Sequence, residues 1–312
     1  MGIKILGTGS SHPSKKITNF DFINIETSDE WIYSRTGIKS RYISTGESTS
    51  SLAQKACKEA LTKANVQPNK IKLLICATMT PDGFTPCVAS SILNELGIEK
   101  AMAFDINVAC SGFVYALNIA NSLLNVGEYA LVVGAETLSK VLDFNDRNTC
   151  VLFGDGAGSV VIQKDTSDAV FYANSKTDIE RILYANGLAN SVNNQICDYK
   201  LKMNGKEVFK FALDSFADCF SDLCGKNISL DDIDLIIPHQ ANKRIILSAC
   251  KKYNLSEEKF YLNLENYGNT SAASIAIALD EARKNGKLIE GMNVLLIGFG
   301  SGLSWGYCLL HI

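Results

Sequence analysis

Asp105-Ile-Asn-Val-Ala-Cys-Ser-Gly-Phe113 is the stretch on which the reading of this chain turns. The apolar run Ala101 to Phe104 precedes it and predicts a buried strand. The run Phe113 to Leu124 follows it and predicts a helix, because Phe113, Ala116, Leu117, Ala120 and Leu124 recur at helical spacing. Cys110 then sits on the turn where strand hands over to helix. Ser111 and Gly112 keep that turn small, so a ligand could approach the sulfur closely. A helix N-terminus carries partial positive charge, which favours thiolate over thiol. Position alone leaves two readings open: a nucleophile, or one more buried structural cysteine among ten.

Composition narrows the class. The 312 residues suffice for one large or two medium domains with ample core. A hydrophobic content of 46% and a charged content of 20% describe an ordinary soluble globular protein. The formal net charge of -3 gives no general attraction to nucleic acid or an anionic membrane. The cysteines form no Cys-x-x-Cys pair and no tight pattern, so neither a disulfide framework nor a zinc site is expected. Lys4 to Leu6 is too short for a signal peptide, and Leu6 stands where a myristoylation motif needs Ser or Thr. Val294 to Ile312 lacks Asp, Glu, Lys and Arg, but its glycines suit two strands and a turn better than a membrane helix. A reducing, cytoplasmic location is expected.

In chain order, strand Ile3 to Leu6 leads into Gly7-Thr-Gly-Ser-Ser11, which opens like a dinucleotide-binding loop. His12 occupies the third glycine position, and the segment after it is not helical. Helix Leu52 to Ala64, buried strand Leu73 to Ala77, loop Thr78 to Pro86 and a helix to Leu96 precede the Cys110 unit. Strand Tyr129 to Val133, a glycine-rich turn Phe153-Gly-Asp-Gly-Ala-Gly158 and strand Val160 to Gln163 follow it. Residues 165–203 read as polar and irregular. Helix Val208 to Leu223, strand Leu235 to Ile237, Pro238-His-Gln-Ala-Asn242 and a helix from Lys243 come next.

The second half repeats the first. Leu73 to Thr78 corresponds to Leu235 to His239, and the Cys110 unit to Tyr261 through Ser271 with its following helix. Tyr129 to Glu136 corresponds to Asn293 to Gly300, and Ala157 to Ile162 to Leu303 to Leu310. Apolar strands alternating with helices predict an α/β fold with mostly parallel sheets. The expected division is 1–164, carrying the nucleophile, and 165–312, carrying its partners. Polar loops at the strand ends of such sheets converge on a site. That brings Cys110, His239 and Asn269 to one cleft. His239 is one of only three histidines, and pairing with Cys110 by the duplication favours catalysis over a structural role. Asn269 reads either as a helix N-cap or as an amide donor to a substrate oxygen. The glycine strings Phe153 to Gly158 and Gly298-Phe-Gly-Ser-Gly302 read as tight turns or as backbone brought close to a substrate, with an exposed N–H for an oxyanion.

Ala-Cys110-Ser-Gly-Phe, His239-Gln-Ala-Asn, Tyr-Gly-Asn269-Thr-Ser and Gly-Phe-Gly-Ser-Gly-Leu-Ser-Trp-Gly306 together resemble β-ketoacyl-acyl carrier protein synthase III, a family of condensing enzymes. The resemblance runs from Gly7 to Tyr307. It implies the thiolase-like fold, duplicated halves in αβαβα layers. It implies an acyltransferase that moves an acyl group from an acyl-coenzyme A, acetyl or another short primer, to Cys110. Malonyl-acyl carrier protein then loses CO2 and attacks that thioester, giving a 3-oxoacyl-acyl carrier protein and initiating fatty-acid synthesis. His239 and Asn269 would hydrogen-bond the malonyl thioester oxygen; the backbone N–H groups of Cys110 and Ser301 would hold the acyl oxyanion. Trp31, Arg35, Arg147, Gly205 and Asn242 match coenzyme A positions. Phe84, Thr85, Phe153 and Phe299 would shape the acyl pocket, and Lys210, Gln240, Arg244, Lys251 and Lys252 would meet the carrier protein. No cofactor and no metal are implied, since acyl-coenzyme A is a substrate, and a homodimer is.

Two departures bear on acyl preference. Thr85 stands where the family often has Phe before the Pro86 position, and Ser-Lys-Thr-Asp-Ile-Glu-Arg-Ile replaces an Asp-Gly-containing stretch near residues 175–182. A condensing enzyme of a secondary-metabolite pathway is the alternative within the fold. A papain-like hydrolase also uses Cys, His and Asn in this order, but it wants Cys-Gly-Ser/Ala-Cys-Trp/Tyr near its N-terminus.

Overall fold

The protein is described by a computed structural model covering residues 2–187 and 198–312. The first half supplies β1 (Ile3–Ser11), β2 (Lys15–Thr18), α1 (Asp29–Thr36), β3 (Ser40–Ile43), α2 (Thr49–Ala64), β4 (Ile71–Ala77), α3 (Val88–Leu96), β5 (Met102–Ile106), α4 (Gly112–Leu123), β6 (Tyr129–Glu136) and β7 (Gly156–Lys164). The second supplies β8 (Val170–Ser175), β9 (Leu183–Tyr184), β10 (Lys202–Met203), α5 (Gly205–Gly225), β11 (Leu235–Pro238), α6 (Lys243–Tyr253), α7 (Leu264–Tyr267), α8 (Ala273–Lys284), β12 (Asn293–Gly300) and β13 (Ser304–His311).

Two large sheets result, ordered β1-β7-β6-β4-β5 and β11-β12-β13-β8. The duplication is explicit in the pairing. β4 runs parallel to β6 as β11 does to β12. The next two pairings, β6–β7–β1 and β12–β13–β8, are antiparallel in both sheets. α4 and α8 lie between the sheets and touch both; α2 and α3 cover the outer face of the first, and α5 with α6 the outer face of the second. This is the αβαβα layering. Strand alternation explains it: Leu73 and Ile75 of β4 face the central core with Phe113, Leu117, Ile275 and Leu279, while Leu74 and Cys76 face α2 and α3. The third core packs Phe216, Phe220 and Ile246 on Ile236 and Ile297.

Four expectations need correction. Gly7-Thr-Gly-Ser-Ser11 is no loop but the continuation of β1. A Cβ on Gly9 would lie 2.2 Å from the Ala56 carbonyl oxygen, so glycine there lets α2 pack directly on the strand. The same reason explains Gly158, inside β7 rather than on a turn, where a Cβ would meet Ala276 at 2.6 Å. The stretch 165–203 is not wholly irregular: it contains the edge strand β8, whose half-buried residues hid its pattern, and residues 188–197 lie outside the described residues. The strand read as buried before Cys110 is β5, an edge strand of which Met102 is 58% exposed. An apolar run does not distinguish a central strand from an apolar edge.

Gly9→Ala should therefore destabilise the fold by about 1–3 kcal/mol, the cost of overpacking a close contact. Urea unfolding should show a lowered midpoint at unchanged m-value; an unchanged midpoint would mean that α2 does not press on β1.

Candidate active site

Cys110 sits on a single 3-10 turn, Ala109–Ser111, directly before α4. The turn is strained: Ala109 has φ +44, a left-handed conformation that non-glycine residues seldom adopt. Asp105 steadies the strand end by accepting from the Val88 and Ala89 N–H groups, both at 2.8 Å, which caps α3. The Ser111 hydroxyl bonds that of Ser304 at 2.6 Å, tying the turn to β13. The glycines before Ser301 serve the same turn. A Cβ on Gly300 would lie 2.8 Å from the Cys110 nitrogen, so the close approach is to the cysteine turn rather than to a substrate.

His239 follows β11 and is 2% exposed. Its Nδ1 lies 2.7 Å from the Ser274 hydroxyl, and its ring packs edge-on against Phe299 at 5.1 Å. Ser274 also accepts from the Gln240 N–H at 3.4 Å, so its own hydrogen is free to be donated to Nδ1. That assignment places the imidazole proton on Nε2, as a donor. Burial drives the imidazole pKa down to about 3, so the ring is neutral at neutral pH. Asn269 is held by the strand-like segment beside it: its N–H donates to the Leu152 carbonyl at 2.8 Å and its carbonyl accepts from Gly154 at 3.0 Å. Its Oδ1 accepts from the Ser271 N–H at 2.9 Å. Asn269 is therefore not the N-cap of α8, which Ala272 precedes; its oxygen braces the turn at Ser271, and its side chain lines the cavity.

Cys110, His239 and Asn269 line one enclosed cavity of about 100 Å³, with Phe153 and Phe299 in its wall. Gly205 and Asn242 line it too, and both also line a wider mouth of about 770 Å³. At the mouth the Arg35 and Arg147 guanidinium groups lie over the Trp31 ring, at 4.5 and 4.6 Å, with Arg244 nearby. A second cavity of about 340 Å³ meets Cys110 and Ser301 from another side, walled by Met79, Val141, Leu183 and Leu201.

Burial lifts the Cys110 thiol to about 12. Burial thus works against the pull of the helix N-terminus toward the thiolate. Phe84 and Thr85 do not line the cavities: both stand exposed on the loop before α3, Phe84 at 83%. Gln240 is no docking residue, being 1% exposed. Its amide donates to the Pro238 and Tyr261 carbonyls, and its oxygen accepts from Asn263 and Leu264, fastening the His239 loop. Lys210 lies away from the mouth, beside Glu207 and Asp214, and Lys251 and Lys252 are exposed on the last turn of α6. Sequence reasoning missed Ser274, one more small residue in a small-residue helix, and the walls Leu152, Met203 and Leu183, which carry no polar signal.

Comparisons with known proteins fit this geometry. Residues 104–178 match the profile of 3-oxoacyl-[acyl-carrier-protein] synthase III, and residues 223–312 match its C-terminal counterpart. The β-ketoacyl-[acyl-carrier-protein] synthase III of Clostridium acetobutylicum is 46% identical over 99% of this chain and 98% of its own. The chain belongs to this family. It is an acyltransferase of the condensing, thiolase-fold kind. The crystal structure of 3-oxoacyl-[acyl-carrier-protein] synthase III from Aquifex aeolicus superposes with a TM-score of 0.93 at 42% identity, covering 100% of both chains. That of a priming β-ketosynthase from a polyketide pathway gives 0.92 at 34% identity over 99% of this chain and 96% of its own.

Acyl loading and CO2 release can be measured separately, which tests the role of each group. Asn269→Ala should accept an acyl group normally yet release CO2 from malonyl-acyl carrier protein about 10²–10³-fold more slowly, the usual loss for one oxyanion donor. Cys110→Ala should do the reverse, loading nothing while still releasing CO2. Radiolabelled acyl incorporation beside CO2 release measures both. Equal loss of the two in Asn269→Ala would make Asn269 a brace for its turn and nothing more.

Proposed function

We propose that this chain condenses a short acyl-coenzyme A with malonyl-acyl carrier protein and so starts fatty-acid chains. The convergence of Cys110, His239 and Asn269 on one mainly apolar cavity carries the reading. Cys110 takes the acyl group, forming a thioester and releasing coenzyme A. The carrier protein's malonyl group follows through the same mouth and loses CO2. The enolate oxygen that forms is held by the His239 Nε2–H and the Asn269 amide, both fixed in place before charge develops, which is where such donors act most strongly. A neutral imidazole suits that duty, since it donates without carrying charge into an apolar cavity. The carbanion attacks the Cys110 thioester, whose oxyanion is received by the N–H groups of Cys110 and Ser301; its collapse breaks the bond to Cys110 Sγ and releases the 3-oxoacyl-acyl carrier protein. The halves 1–164 and 165–312 contribute nucleophile and donors respectively.

The mouth suits coenzyme A in charge and shape. Trp31 and the two guanidinium groups packed on its ring form a stack that a base would join by displacing one of them, with cations for phosphates. The carrier protein, being acidic, would meet the same rim at Arg244, with Lys251 and Lys252 about 10 Å farther along α6. The chain would work as a cytoplasmic two-fold dimer. Its unpaired β5 edge, exposed Met102 and exposed Phe84 are what a second copy would cover. The loop of Phe84 and Thr85 would then complete the acyl pocket from across the dimer. No other partner class is invoked, neither nucleic acid nor membrane; among the described residues no helix is long and apolar enough to cross one.

Steady-state production of 3-oxoacyl-acyl carrier protein from acetyl-coenzyme A and malonyl-acyl carrier protein tests the reading, and no product with any acyl-coenzyme A would end it. Arg244→Glu should raise KM for both substrates by about tenfold, equivalent to about 1.4 kcal/mol of binding, at unchanged kcat. Unchanged KM values would remove Arg244 from the rim. Light scattering at micromolar concentration should give the mass of a dimer; a monomer would contradict the pairing at β5.

A further inference from the structure

The second cavity, which meets Cys110 and Ser301 away from the mouth, has Met79 in its wall. Met79 is the middle residue of Thr78-Met-Thr80, where the chain leaves β4, and it packs with Leu183 and Leu201. Methionine has three rotatable bonds and adapts to what it touches, so its place depends on how firmly its backbone is held. Here a buried carboxylate holds it. Glu136 ends β6 with 0% exposure and takes part in no ion pair among the described residues. A buried carboxylate without a cation is costly and persists only where donors replace the lost water. Three donors reach it, one from each residue of the triplet. They are the Thr80 hydroxyl at 2.5 Å, the Thr78 hydroxyl at 3.3 Å and the Met79 N–H, 3.2 Å from each oxygen. Three donors suit the ionised group, which can only accept. Further bonds lock the triplet. The Thr80 hydroxyl accepts from the Thr137 N–H at 2.9 Å, and the Thr80 N–H donates to the Thr78 hydroxyl at 3.1 Å. The Thr80 carbonyl accepts from the Thr49 hydroxyl of α2 at 2.6 Å. A chain can turn without burying a charge. What the charge adds is a fixed place for the residue between the two threonines.

We propose that Glu136 is a positioning residue for acyl selection: it holds Met79 in the wall of the second cavity and so sets which acyl chains Cys110 accepts. This rests on the reading of Cys110 as the acyl acceptor. The geometry of loading then gives the cavity its occupant. Coenzyme A at the mouth reaches Cys110 through the first cavity, so the acyl carbons beyond the thioester carbonyl extend into the space on the other side of the sulfur. There the chain is measured against Met79, Val141, Leu183 and Leu201. An apolar pocket separates substrates one methylene apart by about 10- to 200-fold, and it does so only while its wall stays in place. The same loop runs on through Asp82, which accepts from the Thr49 and Ser50 N–H groups at 2.8 Å, to Phe84 and Thr85. Glu136 thus fixes the root of the loop offered to a second copy as well as the wall beside its own cysteine.

The test is single-turnover loading of Cys110 from acetyl-, butyryl-, hexanoyl- and octanoyl-coenzyme A, read as mass on the protein at a pH above about 7, where the carboxyl is ionised. The quantity read is the ratio of rates between chain lengths, which a mere loss of folded enzyme leaves untouched. Glu136→Gln turns an amide N–H2 toward groups that are themselves donors, and it should narrow the ratio between the fastest and slowest acyl groups about tenfold. Thr80→Val removes the shortest of the three bonds with the carboxylate in place. It should narrow the ratio in the same sense, and it gives the answer where Glu136→Gln does not fold. Met79→Ala cuts the wall back directly and should speed the longer chains relative to acetyl. Ratios unchanged in Glu136→Gln or Thr80→Val, with every acyl group slowed alike, would overturn the proposal and leave Glu136 a structural carboxylate. Unchanged ratios in Met79→Ala would overturn it too, because the acyl chain would then not meet Met79. Absence of acyl mass on wild-type Cys110 with every donor would overturn both the selection and the acyl-enzyme reading beneath it.

Discussion

The site depends on two backbones touching where no side chain intervenes. A Cβ on Gly300 would lie 2.8 Å from the Cys110 nitrogen, and one on Gly134 would lie 2.2 Å from the Ala272 carbonyl. The first contact seats β12 of the second half on the cysteine turn of the first. The second seats the start of α8, just past Asn269, on β6. Cys110 belongs to one half and His239 and Asn269 to the other, so the distance between nucleophile and donors is set by how closely the halves approach. A methyl group there would force the two halves apart, and a shift of about 1 Å in a positioned group loses about 10²-fold in rate, beside the cost of overpacking.

Burial then decides the chemistry. The same close packing that aligns the groups strips them of water, and their charge states follow. The thiol is pushed up to about 12, the imidazole down to about 3 and the Glu136 carboxyl up to about 7. A neutral imidazole can donate a hydrogen bond without bringing charge into the cavity, and a thiol resists unproductive reactions. Under the proposed mechanism the charge of the enolate and of the oxyanion would be met by donors already fixed in a mainly apolar cavity.

Much of this was legible in the residues. Cys110, His239 and Asn269 could be found because the chain repeats itself, and the repeat carries equivalent strand ends to one place. The β4–β6–β7–β1 and β11–β12–β13–β8 orders follow from that repeat. What stayed hidden depended on neighbours distant in sequence. Gly9 and Gly158 look like turn residues until α2 and α8 are laid on the strands. Gln240 looks like a surface amide until its four bonds to the chain on either side of it are seen. The helix N-terminus argued for a thiolate, and only the completed packing shows how strongly burial opposes it. Glu136 closes the apolar strand β6, but its partners Thr78, Met79 and Thr80 lie more than fifty residues earlier, on the loop after β4.

The most direct measurement is peptide-mapped mass spectrometry after brief incubation with a panel of acyl-coenzyme A compounds of increasing length. The expected result is one acyl group, carried on the peptide containing Cys110, with short chains adding fastest and nothing added to Cys110→Ala. Acyl mass on any other residue, or none with any member of the panel, would contradict the placement of the nucleophile at the meeting point of the two halves.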